Sequence, residues 1–166
     1  MKTMKACGFV LFAAAVSCAV PHLAEAGAIY IWPYEFGTSW DTGISSAESA
    51  DRFVSTGYSI SGTQEGKRCT LFAPVDLPVG KTVTKLRYYN RGIDGTAHTT
   101  ASLNRCKMGS SPKMMAFAQS KGSTGKRTVT VKKIEYAEVE SNYLYFVEIT
   151  VANQYSTIYG VKVHYE

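Results

Sequence analysis

The chain has 166 residues, 45% hydrophobic, 12% aromatic and 19% charged, with 18 Lys and Arg against 13 Asp and Glu for a net charge of +5. That apolar content excludes a disordered polyelectrolyte, and the length suits one domain with a core of its own. Four cysteines and three histidines, without a pair at zinc-binding spacing, imply no metal and no cofactor.

Lys2 and Lys5 open the chain, an apolar run extends from Cys7 to Val20, and Ala24-Glu25-Ala26 follows. This is the layout of a secretory signal peptide ending at residue 26. The run is shorter than the roughly 20 residues of a membrane span, and no other long apolar run follows. Residues 27–166 are therefore expected to form a single exported domain, extracellular or periplasmic, without a transmembrane segment. Ala15-Val16-Ser17-Cys18 offers an alternative in which Cys18 is lipidated instead. Either way Cys69 and Cys106 remain. In an oxidising compartment they are expected to form one disulfide, contributing about 4 kcal/mol.

Turns and period-two alternation predict strands along the whole domain. Ala28 to Trp32 is short and apolar, and Pro33 ends it or puts it at an edge. Residues 47–53 have room for one helical turn, and Ser55 to Ser61 reads as a strand. From Cys69, the residues Leu71, Ala73 and Val75 alternate with Thr70 and Phe72. Pro74 and Pro78 remove backbone donors, so their segment is an edge or a corner, and Gly80 permits a positive φ in its turn. In Thr82 to Tyr89, Leu86 and Tyr88 share one face while Lys85, Arg87 and Tyr89 share the other. Thr99 to Cys106 should point Ala101 and Leu103 inward. Met114 to Ser120 and Arg127 to Ile134 follow. Tyr143 to Val151 and Tyr159 to Tyr165 alternate without a miss, and should form a hairpin across residues 152–157. The class is all-β: an antiparallel β-sandwich of about 8 to 10 strands, jelly-roll or immunoglobulin-like.

The run Phe72-Ala73-Pro74-Val75-Asp76-Leu77-Pro78-Val79-Gly80, followed by Tyr88-Tyr89 and Ala101-Ser102-Leu103, resembles an "APV-LP-G" element of small secreted bacterial β-sandwich proteins of unassigned function. Asn142-Tyr143-Leu144-Tyr145 and the closing Gly160 to Tyr165 are similar to the same pattern. The resemblance implies an exported bacterial β-sandwich and carries over no site residue. Asn90 stands where such proteins often have Asp, which weakens any shared ion site there.

Charge is unevenly spread. Residues 67–133 hold 14 basic residues and two acids, whereas the flanking segments are each net acidic. One reading is a basic face for acidic polysaccharide or an anionic envelope surface. The preferred reading is ordinary solvent-facing strand Lys and Arg, with acidic strands paired beside basic ones. Nucleic acid is not expected, since neither a basic helix nor an RNA-binding aromatic pattern is present. Catalysis lacks a signature. His98 and His164 have no Gly-x-Ser-x-Gly or His-Glu-x-x-His context. Glu135, Glu138 and Glu140 read as a solvated loop, and Asp41, Asp76 and Asp94 form no calcium-loop motif. Tyr30, Trp32, Tyr34, Phe36 and Trp40 crowd into 11 residues. Trp32 and Phe36 are read first as core anchors. The functional expectation is thus a non-catalytic exported protein with a binding or structural role. The alternative is a carbohydrate-binding module stacking sugars on Trp32, Tyr34 and Trp40, and a hydrolase has the least support.

Overall fold

The computed structural model describes residues 26–36, 53–55, 59–62, 69–92, 99–120, 124–151 and 156–166. Residues 1–25, Trp40, Asp41, Asp94 and His98 lie outside these, as does the expected helical turn apart from Phe53. Among the described residues, ten strands build two antiparallel sheets. They are β1 (Gly27–Ile31), β2 (Phe53–Ser55), β3 (Ile60–Gly62), β4 (Cys69–Pro74), β5 (Val83–Gly92), β6 (Thr100–Lys107), β7 (Lys113–Gln119), β8 (Gly125–Val131), β9 (Tyr143–Val151) and β10 (Ser156–Tyr165). Sheet I runs β2-β3-β10-β5-β8, with β1 also on β10; sheet II runs β4-β9-β6-β7. The expected antiparallel β-sandwich is what the chain forms. Among the described residues, no helix is long and apolar enough to cross a membrane.

The inner faces follow the alternation of the sequence. Leu86, Tyr88, Ile158, Val161 and Val163 of sheet I and Leu71, Ala101, Leu103, Val147 and Ile149 of sheet II are all fully buried. Each such aliphatic side chain contributes roughly 1.5 to 3 kcal/mol by leaving water. Pro74 ends the edge strand β4, and the chain then crosses from sheet II to sheet I, with Gly80 in the turn at φ +80°. Edge and corner are where missing backbone donors cost least.

Three expectations fail. The strand expected over Ser55 to Ser61 is two short paired strands, β2 and β3. β9 and β10 form no hairpin: β9 pairs with β4 and β6, whereas β10 pairs with β1, β3 and β5. Strict alternation predicts a strand with one wet face, and both sheets supply such a place, so patterning cannot assign the sheet. The Cys69–Cys106 disulfide is also absent. Cys69 lies opposite Val151 and Cys106 opposite Leu144, at the two ends of β9. At about 3.3 Å per residue this separation is far beyond the ~7 Å that a disulfide tolerates between Cα atoms. Alkylation of the denatured, unreduced protein, read by peptide mass, should label both cysteines, and reductant should leave the melting temperature unchanged.

Candidate functional site

The outer face of sheet I is organised by one irregularity in β10. The pairing of β10 with β5 runs Ile158 opposite Asn90 and then Gly160 opposite Tyr89, leaving Tyr159 as an extra residue in a β-bulge. Sequence alternation puts Tyr159 in phase with Val161 and Val163. The bulge breaks that phase: Ile158 is buried, while Tyr159 is half-buried and joins Tyr30 and Tyr89 around one cleft. Gly160 makes the bulge possible. Its φ is +136°, and a Cβ there would lie 2.8 Å from the Ile31 carbonyl oxygen and 3.0 Å from the Tyr30 ring.

β1 delivers the remaining rings. Ile31 is buried in the core and Ile29 packs against it, so Tyr30 and Trp32 take the opposite face. Trp32 is 44% exposed, which corrects its reading as a core anchor; Phe36, at 7%, is the anchor. A 3₁₀ turn over Pro33–Glu35 holds this end of β1. The Trp32 backbone N–H donates to a Glu35 carboxylate oxygen at 2.6 Å, and the Glu35 N–H donates to the Trp32 carbonyl at 3.0 Å. The Tyr30 ring lies 4.2 Å from the Trp32 ring and 5.8 Å from that of Tyr89, the latter pair stacked at 27°. The Tyr30 hydroxyl donates to the Tyr159 carbonyl at 3.3 Å. Partial burial, and then the nearby Tyr89 phenol, push the Tyr30 hydroxyl above its ordinary value, so it stays a neutral donor. Tyr30, Tyr89, Asn90, Lys126, Thr128 and Tyr159 line an open cleft of about 310 Å³, with Lys126 Nζ 5.5 Å from the Tyr159 ring centre.

Beside the rings runs a basic row. Across three strands Tyr30 is opposite Lys162 and Lys162 opposite Arg87; the next row sets His164 opposite Lys85. His164 Nε2 is buried without a hydrogen-bond partner. Burial first, then the charges of Lys85, Lys162 and Arg87, hold its imidazole below the ordinary value. It has no hydrogen-bonded acid or nucleophile to work with among the described residues.

The other predicted residues are not brought together. Tyr34 is 65% exposed in the 3₁₀ turn and makes no ring contact with the cluster among the described residues. Asp76 is exposed, and no group of three potential metal ligands occurs among the described residues. Glu140 is not simply solvated. It accepts from Arg105 Nη1 at 2.6 Å, and the Arg105 guanidinium sits 4.3 Å from the centres of both the Tyr136 and Tyr143 rings. Tyr136 adopts φ +51° at this contact. The buried Arg105 ties the connection from β8 to β9 onto sheet II, and this cluster is a closure of the fold rather than a pair of free carboxylates.

Sequence reasoning named Trp32 and placed Tyr30 in the same aromatic run, but missed Tyr89 and Tyr159 as their partners. The alternation Ala28-Ile29-Tyr30-Ile31-Trp32 held the signal for β1. The bulge left no comparable trace beyond Gly160 itself.

No family model matches the chain, and no curated protein does. Among solved structures, the chain is similar to a family 61 carbohydrate-binding module in complex with β-1,4-galactotriose, at 11% identity and TM-score 0.42, covering 86% of this chain and 90% of that one. It is similar to the C-terminal family 6 carbohydrate-binding module of a laminarinase from Zobellia galactanivorans at 11% identity and TM-score 0.45, covering 82% and 98%. A structure of infectious bursal disease virus is matched at 13% identity and TM-score 0.46, covering 85% of this chain and 31% of that one. Likeness at this level says nothing of function.

Two outcomes follow from the geometry. Gly160→Ala should destabilise the fold by about 1 to 3 kcal/mol, read as a lower urea midpoint, because it forces a strained φ and a contact with backbone. His164 resists protonation in the folded chain, so its contribution to stability is complete above its ordinary value of 6.5. That contribution is lost as the pH falls through 6.5 toward the lower folded value. Lys85 and Arg87 on β5, Lys162 on β10 and the terminal Glu166 surround it, and β1 offers only Ala28. Thermal melts of His164→Gln should show a shallower loss of stability across this window.

Proposed function

We propose that the protein is exported and acts without catalysis, binding saccharide on the outer face of sheet I. The observation that carries this reading is the contiguous ring surface of Trp32, Tyr30 and Tyr89 beside the Tyr159 cleft. A sugar ring presents axial C–H groups on one face and hydroxyls around its edge. Aromatic faces suit the first, because they bury large area in a fixed orientation. Hydroxyl and amide-rich surroundings suit the second. Thr128 lines the cleft, and the Ser61 and Thr157 hydroxyls meet at 3.1 Å on β3 and β10. The cleft is of the size of small-ligand sites, about 300 to 1,000 Å³, yet it is open, as a polymer passing over the sheet requires.

This differs from the N-terminal aromatic site expected from sequence. Trp32 is kept, Tyr34 is replaced by Tyr30, and Tyr89 and Tyr159 are added from distant segments. Titration of a panel of neutral and acidic polysaccharides should shift or quench the fluorescence of Trp32 with at least one sugar class. Trp32→Ala should lose that signal and weaken binding about tenfold or more while the protein still melts cooperatively. A panel without any saturable response, or a Trp32→Ala protein that binds unchanged, would overturn the reading and leave a structural role at the envelope.

A further inference from the structure

The strands of sheet I hold six Lys and Arg residues, namely Lys85, Arg87, Arg91, Lys126, Arg127 and Lys162, and not one Asp or Glu. The sequence reading that acidic strands pair beside basic ones does not hold for this sheet: the partners of β5 and β10 are β1, β3 and β8, whose strands carry no acid. Among the described residues, none of the six makes a salt bridge. Alternation and register put Lys85, Arg87, Arg91, Lys126 and Lys162 on the outer face with the tyrosines. Lys162 and Arg87 continue the row that Tyr30 begins, while Lys126 and Arg91 face each other on the other side of Tyr89.

We propose that the saccharide bound here is acidic, a polymer of sugars carrying carboxylate or sulfate groups, with Arg87 and Lys162 on one side of the rings and Lys126 and Arg91 on the other taking its anionic groups. This rests on the saccharide reading above. Cations kept close together without acids repel one another, and an anionic partner removes that cost on binding. Arg87 and Arg91 present planar forks that match a carboxylate or sulfate through two parallel N–H donors. His164 lies within reach of these charges: after burial, Lys85, Lys162 and Arg87 hold its imidazole below the ordinary value. The rings distinguish the site from a bare basic patch, since they give a sugar backbone something to lie on.

The test is calorimetry of the purified protein against polygalacturonate, dextran sulfate, a neutral β-glucan and a neutral galactan, with inorganic sulfate, phosphatidylglycerol vesicles and a thymidine oligonucleotide as anion controls. The acidic polymers are expected to bind more tightly than the neutral ones, and to weaken steeply as salt rises from about 50 to about 500 mM. Arg87→Gln/Lys162→Gln is expected to weaken acidic-polymer binding about tenfold, a loss of about 1.4 kcal/mol. It should leave any neutral-polymer binding unchanged. Equal, salt-insensitive affinity for neutral and acidic polymers would overturn this inference and leave the saccharide reading standing. No polymer binding at all would overturn both. Vesicles, oligonucleotide or free sulfate bound as tightly as polygalacturonate, with Trp32→Ala without effect, would replace it with an unspecific polyanion surface. A folded Arg87→Gln/Lys162→Gln protein with unchanged affinity would show that these cations are not the ones used.

Discussion

β10 is hydrogen-bonded along both of its edges, by β5 on one side and by β3 and then β1 on the other. Every functional feature of the outer face depends on the register this imposes. A strand with a free edge can slip by a residue and exchange its faces. One clamped on both sides, with Ile158, Val161 and Val163 fully buried, cannot do so without turning three core side chains outward. The pairing of β10 with β5 shifts register twice, once between His164 and Tyr165 and once at the Tyr159 bulge, which a residue without a Cβ at Gly160 makes possible. Around that point the N-terminal strand, the C-terminal strand and β5 each contribute one tyrosine. Residues 30, 89 and 159 meet because the bulge sets Tyr159 beside Gly160, which lies opposite Tyr89, while Tyr30, opposite Lys162 on the neighbouring strand, stacks on Tyr89; no local motif brings them together.

The same register sets the electrostatics. Lys and Arg on an exposed sheet face cost little individually, as their stems cover apolar surface and their charges stay in water. Six of them in the strands of one sheet, with no salt bridge among the described residues, is a different matter, because each added cation raises the potential felt by the others. The effect reaches His164, whose protonation is disfavoured by three of those neighbours after burial itself. Sheet II handles a cation in the opposite way. Arg105 is buried, paired with Glu140 and held between two tyrosine rings. Where the fold uses a positive charge for its own stability, it supplies the partner; among the described residues, none of the six cations in the strands of sheet I makes a salt bridge.

Sequence made the sandwich legible, because period-two alternation is written directly into β5, β6, β9 and β10. Leu86, Tyr88, Ala101, Leu103, Val147 and Ile149 are buried as their phase requires. What alternation cannot carry is which sheet a strand enters. β9 and β10 read as a hairpin and belong to opposite layers, since either layer offers the same inner environment. The cysteine count failed for a related reason: compartment and number say nothing of where Cys69 and Cys106 fall along β9. The site was legible only in part. Trp32 was found by composition, while its exposure was hidden in the phase of β1, which Ile29 and Ile31 fix. Tyr159 could not be placed at all, since a bulge reverses phase without altering composition.

A surface built this way differs from one built on loops. Loop sites adapt to a ligand and lose conformational freedom on binding; side chains on clamped strands have already lost most of theirs during folding. Tyr30 is held by stacking on Tyr89, by its hydrogen bond to the Tyr159 carbonyl and by the space that Gly160 leaves for its ring. Trp32 is fixed at its backbone by the 3₁₀ turn. In the proposed reading such a platform would be pre-formed and select shape, while the long Lys and Arg side chains beside it would adjust to the spacing of charges on whatever lies across the rings. A ring surface alone would accept many sugars. A basic sheet alone would accept many anions. The register of β1, β10 and β5 joins the two by setting Tyr30, Lys162 and Arg87 in one row, and the proposed ligand would have to be both, which narrows the choice of partner.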